Sequence, residues 1–216
     1  MLSFVTAAFA LLSCFIAITA SPAPAPAAAK ALAGPSGFNI TSLGVNGSGC
    51  PPGSTYYVIS EDKSAVTVTF SQYYAEAGPS IPASANRKNC QLTVGVRVPA
   101  GFSFGIANVD YRGYYQLDSK VTAAQQSIYY FQGQLQQATA RSSLVGPVNS
   151  AYYTYRDTFD LFTTVLSPCG ANTVLNIQSD IRTNNANNKK GSGYIATDSI
   201  DTSLKQIFNL HWQTCR

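Results

Sequence analysis

The sequence predicts an all-β fold, an antiparallel β-sandwich closed by two disulfides. Three observations predict it. Apolar side chains recur with a period of two along much of the chain. An even set of cysteines remains once an apolar leader is set aside. Charged residues make up only 11% of the chain, against about a quarter in an ordinary soluble domain, and Tyr, Thr, Ser, Asn and Gln supply the polarity instead.

The leader is residues 1–20, MLSFVTAAFALLSCFIAITA. It is apolar, carries no charge and ends in small residues, which is the pattern of a secretory signal peptide without its usual basic start. Ile18-Thr19-Ala20 before Ser21 is the expected cleavage site. A membrane anchor would need flanking charge and aromatic residues; here a Pro-Ala tract follows at once. No second span of that length exists, so the mature chain is expected to be soluble, with no membrane contact. Residues 21–36, SPAPAPAAAKALAGPS, read as an extended, disordered tether with no core-forming side chains. Residues 37–216 are expected to form one β-sandwich domain.

Within that domain, Val66, Val68 and Phe70 alternate with Thr67, Thr69 and Ser71. Leu92, Val94, Val96 and Val98 alternate with Thr93, Gly95 and Arg97. Leu175, Ile177 and Ile181 share one face, with Asn176, Gln178, Asp180 and Arg182 on the other. Phe208, Leu210 and Trp212 alternate with Ile207, Asn209 and His211. Alternation of β-branched and aromatic residues with polar ones is the strand signature. Further strands are expected near 56–60, 103–109, 113–117, 127–132 and 152–166. Turn residues such as Gly78-Pro79, Pro99-Ala100-Gly101 and Gly146-Pro147 separate them. TNNANNKKGSG, 183–193, reads as an exposed hairpin loop. Short turns of helix are expected at most at 121–126 or 132–140. Many strands with one polar face and no βαβ rhythm predict the sandwich.

Of five cysteines, Cys14 lies in the leader, leaving Cys50, Cys90, Cys169 and Cys215. An even set in a secreted chain implies two disulfides. Cys50–Cys90 with Cys169–Cys215 closes loops of about 40–50 residues, worth roughly 4 kcal/mol each in the chain-entropy model. The other connectivities differ too little for loop entropy to choose, so sequence order alone favours this pairing. No Cys-x-x-Cys occurs and His211 is the single histidine, so neither a metal nor a cofactor is expected. Asn39-Ile40-Thr41 and Asn46-Gly47-Ser48 are N-glycosylation sequons, expected in an exposed Gly-rich segment.

GCPPG (49–53), TVTFSQYYAEAG (67–78), RKNCQLTVGVRVPAGFSFGI (87–106), DYRGYYQLD (110–118), YYFQG (129–133) and SPCG (167–170) occur in this order. Together they resemble the secreted fungal and bacterial proteins grouped as domain of unknown function 4360. The resemblance spans about residues 49–215. It implies an extracellular, disulfide-bonded domain and brings no catalytic residues.

The net charge of +4 is thinly spread. Arg87-Lys88 and Lys189-Lys190 are its tightest basic pairs, which excludes the clustered stripe that nucleic acid requires. No Gly-x-Ser-x-Gly elbow stands in the mature chain, and oxidised cysteines supply no thiolate. Asp110/Asp118, Asp157/Asp160 and Asp198/Asp201 are loose pairs in sequence, which does not establish the set separation that a glycosidase requires. Tyrosine is abundant, often doubled, and each doublet in a strand sends one ring inward and one outward. DYRGYYQLD reads as two strands meeting at Gly113, with Arg112 pairing Asp110 or Asp118. These residues predict a non-enzymatic extracellular protein that binds cell-wall polysaccharide or a surface partner through Tyr111, Arg112 and Tyr114. Two alternatives stand beside it. One is a wall-carbohydrate hydrolase using Asp110 or Asp157. The other is a protein-interaction module, such as a protease inhibitor or effector, presenting loop 183–193.

Overall fold

A computed structural model describes residues 34–63, 65–158, 165–197 and 205–216, without the side chains of 157, 158 and 205–207. The leader and most of the Pro-Ala tract lie outside these residues. Twelve strands are described: β1 Asn39–Asn46, β2 Thr55–Ile59, β3 Ala65–Phe70, β4 Tyr74–Ala77, β5 Arg87–Arg97, β6 Phe102–Leu117, β7 Thr122–Phe131, β8 Gln137–Val145, β9 Val148–Thr158, β10 Thr173–Asn184, β11 Gly193–Ala196 and β12 Lys205–Thr214. One 3-10 turn, Ala83–Ala85, accompanies them. The stretches expected to hold short helical turns lie instead mostly within β7 and β8.

The strands form two antiparallel sheets. The first runs β1-β5-β10-β7-β8. The second runs β2-β3-β12-β6-β11-β4, with β9 also on β6. The sixteen-residue β6 organises the second sheet. β12 pairs with its first part, from Phe102 to Tyr111, and β11 with its last, from Tyr114 to Leu117. β9 covers Asn108 to Leu117. The fold is therefore the all-β antiparallel sandwich that the alternation predicted.

Period two explains the core. Leu92, Val94 and Val96 of β5 and Leu175, Ile177 and Ile181 of β10 are buried, as are Val68, Phe70, Phe208, Leu210 and Trp212 of the second sheet. Each fully buried large side chain contributes about 1.5–3 kcal/mol of transfer free energy. Phe38, just before β1, packs edge-on against Trp212 with centroids 4.8 Å apart and meets Phe104 at 5.6 Å. Elsewhere the two sheets are joined by phenols. Tyr111 and Tyr129 hydroxyls lie 2.7 Å apart, Tyr73 donates to Ser179 Oγ at 2.8 Å, and Tyr153 donates to Gln125 Oε1 at 2.9 Å. Burial pushes the Tyr73 and Tyr153 phenols well above their ordinary pKa, so both remain neutral donors.

Both expected disulfides are present. Cys50–Cys90 ties the segment after β1 to β5, and Cys169–Cys215 ties the approach to β10 to the end of β12. Two expectations change. β6 runs unbroken through Gly113, so DYRGYYQLD is largely one strand. Gly113 is there for close approach: a Cβ would lie 2.2 Å from the Ala196 carbonyl oxygen and 2.4 Å from the Tyr153 ring. Residues 185–192 do not turn a hairpin, because β10 and β11 belong to different sheets and the segment carries the chain from one to the other. Asn39 and Asn46 of the two sequons are both exposed on the edge strand β1. The expected strand at 152–166 is observed as β9, and residues 159–164 lie outside the described set.

Candidate functional site

The unbroken path of β6 decides which of the expected binding residues share a surface. Asp110, Arg112, Tyr114 and Gln116 face outward on the seven-stranded sheet, whereas Tyr111, Gly113 and Tyr115 face the other sheet. Tyr111 is thus no surface residue. It is 1% exposed, its hydroxyl meets Tyr129, and it belongs to the core. Arg112 and Tyr114 are half-buried on the outer face.

Tyr114 is the centre of a row of rings. On one side it meets Tyr152 of β9, centroids 5.5 Å apart, and the two residues are direct cross-strand partners. On the other side it meets Tyr194 of β11 at 6.0 Å, and Tyr194 stacks on Tyr74 of β4 at 5.7 Å with the planes 21° apart. Four phenol rings therefore cross four adjacent strands, β9-β6-β11-β4, spanning three strand spacings of about 4.8 Å. Tyr152 is 67% exposed and Tyr74 37%. Tyr114 donates to Gln116 Oε1 at 3.4 Å, and Ser150 Oγ donates to the same oxygen at 3.3 Å. Beside Tyr194 the surface dips into a shallow depression lined by Glu76, Ile81, Gln116, Asp118 and Ser192. The arrangement offers apolar ring faces flanked by amide, carboxylate and hydroxyl groups.

Tyr74, Tyr152 and Tyr194 were not singled out from the sequence. The Tyr73-Tyr74 and Tyr152-Tyr153 doublets signalled one outward ring each, but nothing in the sequence showed that these rings meet Tyr114. That needs the register.

The acidic residues are occupied differently from expectation. Asp110 pairs with Arg156 of β9 rather than with Arg112: Arg156 Nε donates to Oδ1 at 2.5 Å and Nη2 to Oδ2 at 2.6 Å. The Arg156 hydrogen bond holds the Asp110 carboxyl below its ordinary pKa, against the opposing effect of burial. Such a group is ionised at neutral pH and cannot serve as a general acid. Asp118 accepts the Ser192 backbone N–H at 2.7 Å. Arg112 Nε is buried without a hydrogen-bond partner. The Asp157 side chain and residues Asp160, Asp198 and Asp201 lie outside the description. His211 is half-buried on β12, opposite Gly105. Among the described residues no three His, Cys, Asp or Glu side chains come together as metal ligands would, and no helix is long and apolar enough to cross a membrane.

Comparison with known proteins places this geometry in a family. The family model described as domain of unknown function (DUF4360) matches residues 36–215. An uncharacterized secreted protein of Arthroderma benhamiae is 41% identical over 181 residues, which is 84% of this chain and 73% of the relative. A solved structure of TmCBM61 in complex with beta-1,4-galactotriose covers 82% of this chain and 90% of its own, at 10% identity and a TM-score of 0.26. A likeness of that size assigns neither ligand nor activity. The family match extends over nearly all of the described sandwich, and the chain therefore belongs to the DUF4360 family and, like its relative, is a secreted protein.

Proposed function

We propose that this chain is a non-enzymatic extracellular protein that binds polysaccharide along its tyrosine row. The observation that supports this reading is the continuous contact of Tyr152, Tyr114, Tyr194 and Tyr74 on an outward sheet face. An extended chain of sugars presents alternating apolar C–H faces and hydroxyl edges. Phenol rings cover the former, and Gln116, Glu76 and the tyrosine hydroxyls hydrogen-bond the latter. The row is flat and open, which suits an extended polymer better than an enclosed small molecule.

Arg112 lies two residues from Tyr114 on the same face of β6 and belongs to this proposed surface; Tyr111 does not. The same reading places N-linked glycans at Asn39 and Asn46. Both are on β1, an edge strand of the other sheet, so glycans there would leave the tyrosine row uncovered and would block strand addition at that edge.

The test is co-sedimentation of the oxidised protein with insoluble chitin, β-glucan and cellulose, with the supernatant assayed for released sugar. Retention without release is expected on at least one polymer. Tyr152→Ala is expected to weaken it by about 1 kcal/mol, roughly fivefold, for one lost ring contact. Sugar release that Asp110→Asn abolishes would favour the hydrolase instead. Neither retention nor release would favour a protein partner.

A further inference from the structure

The outer face of the five-stranded sheet carries a second feature, independent of the tyrosine row. Cross-strand register lines up Arg87, Arg182, Ala124 and Ser143 in one row, on β5, β10, β7 and β8, and Asn89, Asp180, Gln126 and Arg141 in the next. Ala124 is the smallest side chain in this double row, and the surface dips there. Ala124, Gln126, Arg141, Ser142, Ser143 and Arg182 line the depression.

Its electrostatics are one-sided. Arg87, Arg141 and Arg182 bring three guanidinium groups to a face whose described residues supply one carboxylate, Asp180, within these rows. Asp180 is largely buried and is bonded to Arg87 Nε and to Arg182, whose Nε and Nη2 lie 3.1 and 2.9 Å from Oδ1. That ion pair orients Arg182 while using only part of its donor fork. The Arg182 side chain is still 51% exposed. An oriented, exposed guanidinium beside a depression with amide and hydroxyl walls is a receptor for an oxyanion, because planar N–H pairs match the two oxygens of a carboxylate.

We infer that this depression binds the carboxylate of an acidic polysaccharide, a uronate. A free anion would use the same chemistry, but the neighbouring rows of the face favour a polymer. Gln91, Gln178, Ile128 and Thr139 occupy successive strands in the next row, and Thr93, Asn176, Tyr130 and Gln137 in the row beyond. Apart from Ile128, these are uncharged hydrogen-bonding groups, and they extend the sheet face beyond the depression, where further sugar units would lie.

The probe is insoluble polygalacturonate, with its methyl-esterified form as an uncharged control of the same backbone. The oxidised protein should be retained on the acid form at least tenfold better than on the ester, and the preference should weaken as salt rises. Arg141→Gln should reduce it severalfold. Ala124→Glu, which places a carboxylate on the floor of the depression and leaves the Asp180 ion pairs intact, should abolish the preference. Tyr152→Ala should leave it unchanged, so loss of the neutral-polymer reading and loss of this one are distinguishable. Equal retention on acid and ester, no retention on the acid form, displacement from it by inorganic phosphate at micromolar concentration, or a preference that survives both Arg141→Gln and Ala124→Glu would overturn the assignment.

Discussion

Asp110 faces outward on β6, yet its side chain is only 9% exposed because Arg156 lies over it. Arg156 itself is 61% exposed, so water screens the pair and its contribution is about 1 kcal/mol rather than that of a buried ion pair. Its pH dependence has a defined sign. The folded state depresses the Asp110 pKa, chiefly through the Arg156 hydrogen bond, so the unfolded chain takes up the proton first as pH falls. The stabilisation is whole above the ordinary aspartate value of about 4 and is lost as pH drops through the folded value. Arg156→Gln should therefore lower the urea midpoint at pH 7, and the gap to wild type should close under acid conditions. A gap that persisted at pH 2 would mean that Arg156 acts through packing alone. Residue-scale reading of the sequence was limited by parity. The outward position of Tyr114 needs nothing but the strand. Tyr111 was misplaced because residues three apart share a face only if the strand is interrupted between them. Gly113 suggested such an interruption, whereas the structure uses it to admit the Tyr153 ring.

The strands that alternation revealed are β2, β3, β5, β7, β9, β10, β12 and the two halves of β6. The strands it missed are β1, β4, β8 and β11, and they share a physical reason. β1 is an edge strand whose irregular register between Ile40 and Ser42 sets Ile40 out of step with Leu43 and Val45. β4 and β8 fill the core partly with alanine, Ala75, Ala77 and Ala140 all being buried, and the four-residue β11 sends only Gly193 and Ile195 inward. Small inward residues give a weak hydrophobic period although the backbone pairs fully. The connection from β10 to β11 shows the second limit, since a polar run between two strands looks alike whether they share a sheet or not. In the structure that run is pinned. Asn185 Nδ2 donates to the Gly191 carbonyl at 3.2 Å, Asn188 Nδ2 to the Ser119 carbonyl at 2.9 Å, and Asp118 accepts from Ser192. Lys189 and Lys190 are exposed but lie in a turn. Trypsin cleaves a segment it can extend, so cutting there requires local opening. Native protein should resist trypsin at Lys189-Lys190 for far longer than the reduced, unfolded chain. Asn188→Ala, which removes the tie to Ser119, should shorten that lifetime. Cleavage as fast in the native as in the unfolded chain would show that these bonds do not hold the loop.

Across the whole molecule, the two disulfides occupy different environments. Cys50 and Cys90 are fully buried, whereas Cys169 is exposed and Cys215 half-buried. A reductant therefore reaches Cys169–Cys215 from the native state, while Cys50–Cys90 waits for unfolding. Mild reduction with alkylation should label Cys169 and Cys215 first. Opening a bridge with a sequence separation of 46 removes about 2–4 kcal/mol, which lowers Tm by roughly 5–15 °C in a domain of this size. Binding should respond differently from stability. Cys215 N–H donates to the Gly101 carbonyl, just before β6 begins, whereas Tyr114 stands near the other end of that strand. The interval from Gly101 to Tyr114 is roughly 40 Å of extended chain. Between the two ends, β12 and β9 hold β6 on both edges, so the tyrosine row keeps its geometry when the distant bridge opens. Cys169→Ser with Cys215→Ser should thus melt earlier yet sediment with polysaccharide as wild type does at 25 °C. Parallel loss of melting temperature and retention would instead mean that the row depends on the far end of the sandwich, and that β6 transmits the bridge's constraint along its length.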